Sequence, residues 1–149
     1  MRPRILNPEA LGVPRGWNHG VLAPEGGRLL FVAGQTAGTT EAGRVAGDFA
    51  AQFEQALEKV LLVVHEAGGR PEEICRLTVY VTDLEAYRAA RGRLGEVWRR
   101  LMGRHYPAMA LLEVRRLADE GALVELEATA VVEVGKATEG SIQSRRHAT

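Results

Sequence analysis

Apolar residues recur at helical spacing along two stretches of the chain. In residues 48–67 the apolar stripe follows Asp48, a candidate N-cap, and ends at Gly68-Gly69, a pair that stops helices. In residues 84–102 a second stripe follows Thr82-Asp83, another N-cap signal. The pattern therefore predicts two amphipathic helices.

Short runs of branched and apolar residues around these helices predict the strands. Four runs are clear and two are weaker: 28–34, 74–81, 108–114 and 123–134, then 17–23 and 4–6. The turn Pro24-Glu25-Gly26-Gly27 is expected to pair strand 17–23 with strand 28–34. This order predicts an α+β protein in which two helices cover one face of a mixed six-stranded sheet.

The predicted sheet carries more apolar surface than two helices on one face can cover. In the first clear strand Leu29 and Phe31 alternate with Leu30 and Val32, so both faces of this strand are apolar. In the last strand one face is apolar and the other is mixed. Uncovered apolar sheet surface on a chain of this size predicts association with other copies.

The composition fits one globular domain. The chain has 149 residues, of which 46% are hydrophobic, so it has enough apolar material for a core. We assign the domain to residues 1–134. Residues 135–149 are polar and aperiodic, and we expect them to be a disordered tail.

The charge balance argues against polyanionic partners. Nineteen basic and nineteen acidic residues give zero net charge, which disfavours nucleic acid and anionic membranes and leaves a small-molecule metabolite as the expected partner. The single cysteine excludes an intrachain disulfide, and no signal peptide or long apolar run is visible. A cytoplasmic location is the resulting expectation.

Three segments, in this order, carry a resemblance to a known family: Phe31-Val32-Ala33-Gly34-Gln35-Thr36, Gly47-Asp48-Phe49-Ala50-Ala51-Gln52-Phe53, and Tyr106-Pro107-Ala108 leading into Glu113-Val114. With further matches between and after them, residues 2–134 resemble the Rid family, also called YjgF-like or RidA-like. The resemblance implies a chorismate-mutase-like fold and a homotrimer with ligand clefts between subunits. It also implies hydrolysis of enamines and imines, such as 2-imino acids to 2-keto acids and ammonia, without a metal or organic cofactor.

The residue after Pro107-Ala108 sets the expected activity. Complete members of the family carry an arginine there, whose guanidinium grips the substrate carboxylate. This chain has Met109, which offers no charge and no strong donor. Arg115 is roughly 20 Å of extended chain away and Arg116 points to the opposite face, so neither replaces the missing group. The alternative role for Met109 is packing at a subunit contact.

Three residues match other parts of the family's site. Glu125 matches the glutamate near the attacking water, where a carboxylate orients or deprotonates that water. The alternative is a solvated or ion-paired strand residue. Gly34 and Gln35 match the turn that lines the cleft, where a glycine lets backbone groups approach a ligand. The alternative for this turn is a tight strand exit.

Three more residues are candidate ligand contacts. Trp17 stands where the family often has a tyrosine, and its ring can stack on a planar ligand. His19, after Asn18, can line the site and carry charge near neutral pH, or it can act as a turn or cap. Arg91 stands where the family commonly has asparagine. It can supply an anion contact, or it can form an ion pair on its helix.

The remaining reactive side chains are assigned structural roles. His65 and His105 have no partner at a spacing that metal ligation requires, so no metal site is expected. Cys75 is in phase with Leu77 and Val79 along its predicted strand, which predicts a buried core thiol rather than a nucleophile.

Two functions follow from these observations. The first is a hydrolase of the deaminase type that acts on an enamine-like or imine-like metabolite, but not the standard 2-imino-acid deaminase, because Met109 replaces the arginine. The second is a non-catalytic metabolite-binding or regulatory protein on the same scaffold. RNA cleavage fits poorly with zero net charge and no basic, aromatic patch.

Overall fold

The computed structural model describes residues 2–135. Three helices and six strands form this part of the chain, joined by short 3₁₀ turns. In chain order they are β1 (Arg4–Leu6), β2 (Gly20–Leu22), β3 (Arg28–Gln35), α1 (Phe49–Glu66), β4 (Ile74–Val81), α2 (Leu84–Ala89), α3 (Arg91–Met102), β5 (Ala108–Glu113) and β6 (Val124–Val132). The predicted tail lies, apart from Gly135, outside the described residues.

The central sheet is mixed, with the strand order β3-β6-β4-β5. β6 runs antiparallel to both β3 and β4, whereas β5 is parallel to β4 at the opposite edge. The hydrophobic core lies between one face of these strands and the helices α1 and α3. The prediction of an α+β protein with a mixed sheet and helices on one face is confirmed.

The edges of the sheet differ from the sequence prediction. β2 pairs antiparallel with β1 and not with β3, and these two strands form a separate sheet, so the main sheet has four strands rather than six. The reason is that each strand has another neighbour: β2 pairs with β1, and β3 pairs with β6 from Arg28 opposite Val132 onward, so the turn before β3 does not close a hairpin. A single parallel bridge between Asn18 and Ala108 links the N-terminal segment to the edge of the main sheet.

The second predicted helix is broken at Ala90. The N–H of Ala90 donates to the carbonyl oxygens of both Ala86 and Tyr87, and the chain begins a new helix at Arg91. Shared bonds of this kind mark a locally tightened turn. Apolar periodicity continues across the break, so the pattern alone predicted one helix. The break matters because it places Tyr87 and Arg91 at the junction of α2 and α3.

The first helix follows its prediction closely. The Asp48 carboxylate accepts the Ala51 N–H at 2.9 Å, as an N-cap does, and the helix ends before Gly68. Its apolar stripe is fully buried at Ala56, Leu57, Val60 and Val64. This helix provides the largest share of the core that supports the sheet.

The sheet face away from the helices is apolar at β3 and mixed at β6, and the described residues leave its β3 part exposed. Leu29 is 59% exposed and Phe31 is 72% exposed, while their neighbour Val32 is buried under α1. In β6 the residues that face the helices are buried, and Glu125 and Glu127 on the other face are half-buried. The prediction of apolar residues on both faces of β3 is confirmed.

Cys75 differs from its predicted place. The register between β4 and β6 shifts between Ile74 and Arg76, so a bulge takes Cys75 out of phase with Leu77. The thiol is half-buried and donates to the carbonyl oxygen of Glu73 at 3.6 Å. Burial raises the pKa of the Cys75 thiol, which keeps it protonated and argues against a nucleophilic role. None of the helices described between residues 2 and 135 has the length and apolar character needed to cross a membrane.

Candidate functional site

A cavity of about 510 Å³ lies at the edge of the sheet, between β5 and the junction of α2 and α3; we call it the Met109 pocket. Its lining is contributed by the N-terminal segment, all three helices, β4 and β5, namely Arg15, Gly16, Trp17, Phe53, Val79, Tyr87, Arg91, Leu94, Gly95, Trp98, Tyr106, Met109 and Leu111. The pocket is therefore mainly apolar and aromatic, with two cationic groups. Pockets of this size and character suit small organic ligands.

Met109 points into this pocket because of the strand register. It pairs with Leu77 of β4, and Leu77 is fully buried beneath the helices, so the two side chains share the helix-covered face. Met109 is half-buried and packs against the chain's own hydrophobic core. Its thioether thus makes an apolar wall at the place where the family resemblance expects a guanidinium.

Arg91 lies at the first position of α3 and lines the pocket. Its guanidinium carbon is 5.9 Å from the centre of the Tyr87 ring, a cation–π distance. No carboxylate within residues 2–135 forms an ion pair with it, so the predicted alternative of an ion pair is not observed within the described part of one chain.

Arg15 is a pocket residue that sequence reasoning missed. It is exposed, and like Arg91 it has no ion-pair partner in the described part of the chain. The available signal was its place in Pro14-Arg15-Gly16-Trp17, two residues before a candidate site aromatic. Gly16 has φ 78, a left-handed conformation that glycine adopts without strain and that turns the segment between Arg15 and Trp17.

Trp17 lines the Met109 pocket, whereas His19 contacts the Trp17 ring and is not among the described lining residues. The two rings meet edge to face, with centroids 4.6 Å apart. Nε2 of His19 lies 3.2 Å from the carbonyl oxygen of Gly12 and donates to it, and the backbone N–H of His19 donates to Oδ1 of Asn7. His19 therefore holds the N-terminal loop beside Trp17, and it is not among the described residues that line the Met109 pocket.

Asn18 fastens this segment to the start of β5. Its backbone N–H donates to the carbonyl oxygen of Pro107 at 3.1 Å, and its side-chain amide donates to that of Tyr106 at 2.5 Å. Tyr106 in turn stacks on Trp98, with ring planes 5° apart and centroids separated by 5.4 Å. These contacts give Trp17 a fixed position opposite α3.

Glu125 and Gly34 meet at a second place, on the sheet face away from the helices. A β-carbon on Gly34 would fall 1.9 Å from Oε1 of Glu125, so the carboxylate occupies the space that any other residue would fill. The close approach results from a bulge, because the register between β3 and β6 shifts between Val32 and Gln35. Gln35 is half-buried and its side-chain amide donates to the carbonyl oxygen of Ala33 at 3.2 Å.

Further polar groups share this face with Glu125. Tyr80 is paired with Glu125 across the sheet, and its hydroxyl donates to Oε1 of Glu127 at 2.5 Å. The hydrogen bond to Glu127 raises the pKa of Tyr80, and the charge of Glu125 adds to the effect. The Glu125 carboxylate therefore lies beside a tyrosine whose one O–H proton is donated to Glu127.

The predicted site residues thus fall into two groups within one chain. Trp17, Arg91 and Met109 line the Met109 pocket on the helix-covered side, while Gly34, Gln35 and Glu125 lie at the bulge of β3 and β6. Met109 and Glu125 have side chains on opposite faces of the sheet, as the register through Leu77 and Tyr80 requires. One chain therefore presents two half-sites and not one closed site.

Among the described residues that line the Met109 pocket there is no carboxylate, imidazole, thiol or amine, so none of them could act as a general base near neutral pH. The other histidine close by, His105, has its ring directed at the carbonyl oxygen of Ile74, with Nε2 2.7 Å away. Within residues 2–135 no group of three His, Cys, Asp or Glu side chains is arranged to hold a metal ion.

Comparison with known proteins identifies relatives for most of the chain. Residues 9–132 match the protein family described as Endoribonuclease L-PSP. A RutC family protein of Pyrococcus abyssi is 32% identical over 108 residues, which are 72% of this chain and 81% of that protein. The 2-iminobutanoate/2-iminopropanoate deaminase of Escherichia coli K12 is 31% identical over 105 residues, 70% of this chain and 80% of that enzyme.

A solved structure shares the fold. The crystal structure of YyfB from Yersinia pestis, described as a protein of unknown function of the conserved Rid family, superposes with a TM-score of 0.74 at 31% sequence identity. The match covers 89% of this chain and 100% of YyfB.

Proposed function

The chain belongs to the Rid (YjgF-like) family and has its chorismate-mutase-like fold, and we propose that it is a cofactor-independent hydrolase of an enamine-like or imine-like metabolite other than the short 2-imino acids. The observation that carries this proposal is the pair of half-sites. Glu125 provides a carboxylate at an open backbone bulge, and the Met109 pocket provides an apolar binding site without a guanidinium at position 109. The E. coli relative named as a 2-iminobutanoate/2-iminopropanoate deaminase supports the type of reaction.

The proposed active unit is a homotrimer. Two observations support it: the uncovered apolar face around Leu29 and Phe31, and the separation of Glu125 from Met109 on opposite faces of the sheet. In a trimer with clefts between subunits, the bulge of one copy faces the Met109 pocket of the next. Each cleft then gains the general base that is missing from the described lining of the pocket.

The proposed reaction needs only water and one carboxylate. Glu125 accepts a proton from a water molecule while the water oxygen attacks the imine carbon. Glu125 then passes this proton to the imine nitrogen. Glu125 then takes the proton of the carbinolamine hydroxyl and passes it to the amino group, so that the carbon–nitrogen bond breaks as the carbonyl forms, giving a carbonyl compound and ammonia. The backbone near the exposed Gly34 is open to a ligand, and Trp17 stacks on the planar imine.

Ammonia release tests the proposal directly. We would generate a series of 2-imino acids in place with an amino-acid oxidase and measure ammonia with the wild-type chain, Glu125→Gln and Glu127→Gln. The two glutamates lie on the same face of β6, so Glu127→Gln is the matched control. We expect acceleration above spontaneous hydrolysis for imines with larger side chains, loss of the acceleration in Glu125→Gln, and its retention in Glu127→Gln.

Two results would contradict the proposal. Rapid wild-type hydrolysis of 2-iminopropanoate would show that Met109 does not exclude the short substrates. No acceleration of any imine by a folded oligomer would rule out the hydrolase.

A non-catalytic metabolite-binding or regulatory role is the second candidate. The absence of a general base among the described residues of the Met109 pocket favours it, because the pocket can bind a ligand without acting on it. Saturable binding with no turnover of any imine would select this role. The family description also names an endoribonuclease, but 19 basic and 19 acidic residues leave no net charge to attract an RNA backbone.

A further inference from the structure

Arg15 and Arg91 place two positive charges at one small-molecule pocket. Both side chains are exposed and line the Met109 pocket, whose deeper lining includes the buried Phe53, Leu94 and Trp98. The charged groups therefore stand at the mouth and the apolar groups at the base. Arginines in ion pairs occur nearby, such as Arg88 with Glu85 and Arg93 with Asp48. The two at the pocket have no carboxylate partner in the described part of the chain.

We propose that Arg15 and Arg91 bind the carboxylate of a metabolite whose planar, apolar body fills the Met109 pocket. A guanidinium matches a carboxylate with paired hydrogen bonds, and such charge-assisted bonds are the strong ones. Met109 and Leu111 are apolar where the body of the ligand would lie, and Trp17 and Tyr106 offer flat faces for stacking. The anion clamp has moved from β5 to the pocket mouth, which favours a longer ligand over a short 2-imino acid.

The contact between Arg91 and Tyr87 supports this position for the charge. The guanidinium lies 5.9 Å from the Tyr87 ring centre, which holds the side chain over the α2–α3 junction. Arg91 is the first residue of α3 because the helix breaks at Ala90, and the apolar periodicity did not predict this break. Arg15 comes from the N-terminal segment, next to Gly16 with its positive φ. The two guanidiniums thus approach the mouth from separate elements.

The inference rests on the proposed function only in placing the ligand in this pocket, and it can be tested by binding alone. Three stable probes separate its parts: 3-phenylpropanoate carries both features, 3-phenylpropanamide lacks the charge, and propanoate lacks the apolar body. In titration calorimetry with the full chain, we expect 3-phenylpropanoate to bind roughly tenfold or more tightly than either of the other two. Equal affinity for the acid and the amide, or no saturable binding of the acid to the folded protein, would overturn the proposal.

Arginine variants assign the contact to residues. Arg91→Met and Arg15→Met each keep an apolar side chain of similar reach and remove the charge. We expect each to reduce the preference for acid over amide, and the double variant to abolish it. Arg88→Met is the matched control, because Arg88 is on α2, paired with Glu85 and outside the pocket lining. An unchanged preference in the double variant, or an equal loss in Arg88→Met, would overturn the assignment.

The outcomes also separate this inference from the proposed hydrolase. Binding of the acid through Arg15 and Arg91 without turnover of any imine would support carboxylate binding by the two arginines and refute the hydrolase. Imine turnover that depends on Glu125, with equal affinity for the acid and the amide, would support the hydrolase and refute carboxylate binding by Arg15 and Arg91.

Discussion

The carboxylate of Glu125 lies directly over the α-carbon of Gly34, in the space where a β-carbon would come within 1.9 Å of Oε1. Glycine is needed here for close approach and not for an unusual backbone angle, since Gly34 is not among the residues with positive φ. The contact links β6 to the bulge of β3 and fixes where the only carboxylate of the proposed active site can be.

We expect Gly34→Ala to displace the Glu125 carboxylate and to abolish any activity that depends on it. The fold should survive, because the nearest overlapping atoms belong to the end of the flexible Glu125 side chain, and holding one of its torsions about 30° away from a rotamer costs only about 0.5–1.5 kcal/mol. Urea denaturation of Gly34→Ala, Glu125→Ala and the double variant measures the coupling. The decrease in the free energy of unfolding caused by Gly34→Ala should be smaller when the Glu125 side chain is already replaced by alanine.

Gly92→Ala provides the control for this experiment. Nothing lies within 4 Å of a β-carbon at Gly92, the second residue of α3, so alanine there should be accommodated without loss of stability. Equal effects of Gly34→Ala on the free energy of unfolding in the presence and absence of Glu125 would show that residue 34 and Glu125 are not energetically coupled.

The outer sheet face should control assembly. Phe31→Glu puts a charge on a 72% exposed aromatic residue that the proposed trimer buries, so we expect it to shift sedimentation from trimer toward monomer at micromolar concentration. Val13→Glu is the matched control, because Val13 is 90% exposed and lies outside the sheet. A wild-type monomer, or a trimer unaffected by Phe31→Glu, would contradict assembly through this face.

The ion pair at the start of α1 should make stability depend on pH in the acid range. The hydrogen bond from Arg93 lowers the pKa of Asp48 below its usual 3.8, and the Ala51 N–H adds to the effect. A lowered folded-state pKa means that the stabilisation is present above pH 3.8 and is lost as pH falls through the folded value. Urea denaturation as a function of pH should therefore show the difference between wild type and Asp48→Asn vanishing below that range.

Asparagine isolates the charge in this test. It keeps an N-cap acceptor for Ala51, so the variant removes the pair with Arg93 and spares the cap. Arg93→Gln should remove the larger part of this pH dependence, because the Arg93 contact is the largest cause of the lowered Asp48 pKa and the Ala51 N–H remains in place. A wild-type advantage that persists unchanged in strong acid would assign the effect to some other group.

The sequence predicted the elements whose signals are local and missed those that depend on distant contacts. The periodicity and caps of α1 were sufficient, because its stripe is buried as one face. The pairing of β2 with β1 could not be derived, since each of these strands has three residues, too few to show an alternating pattern, and β3 takes β6, about one hundred residues away along the chain, as its neighbour. The break at Ala90 was hidden because apolar spacing continues through it.

The same distinction applies to the site. Trp17, Arg91 and Met109 were identified as separate candidates, and the structure brings them to one pocket. Arg15 was missed because an arginine in an aperiodic loop carries no pattern of its own. The division of the predicted residues between two faces follows from strand register, which a list of matched positions does not contain.

Restoring a guanidinium on β5 should restore the activity on short substrates. Met109→Arg places an arginine on the helix-covered face of an edge strand, at the position where the family resemblance expects the carboxylate clamp. We expect ammonia release from 2-iminopropanoate to rise at least about tenfold above the wild-type rate, the range that charge-assisted bonds supply. Met109→Gln is the control, because it adds polarity and length without charge. Repulsion from Arg15 and Arg91 opposes the new cation, so the gain should be larger in the Arg91→Met background. Equal rates for Met109→Arg and Met109→Gln would show that the charge at position 109 does not determine which imines are hydrolysed.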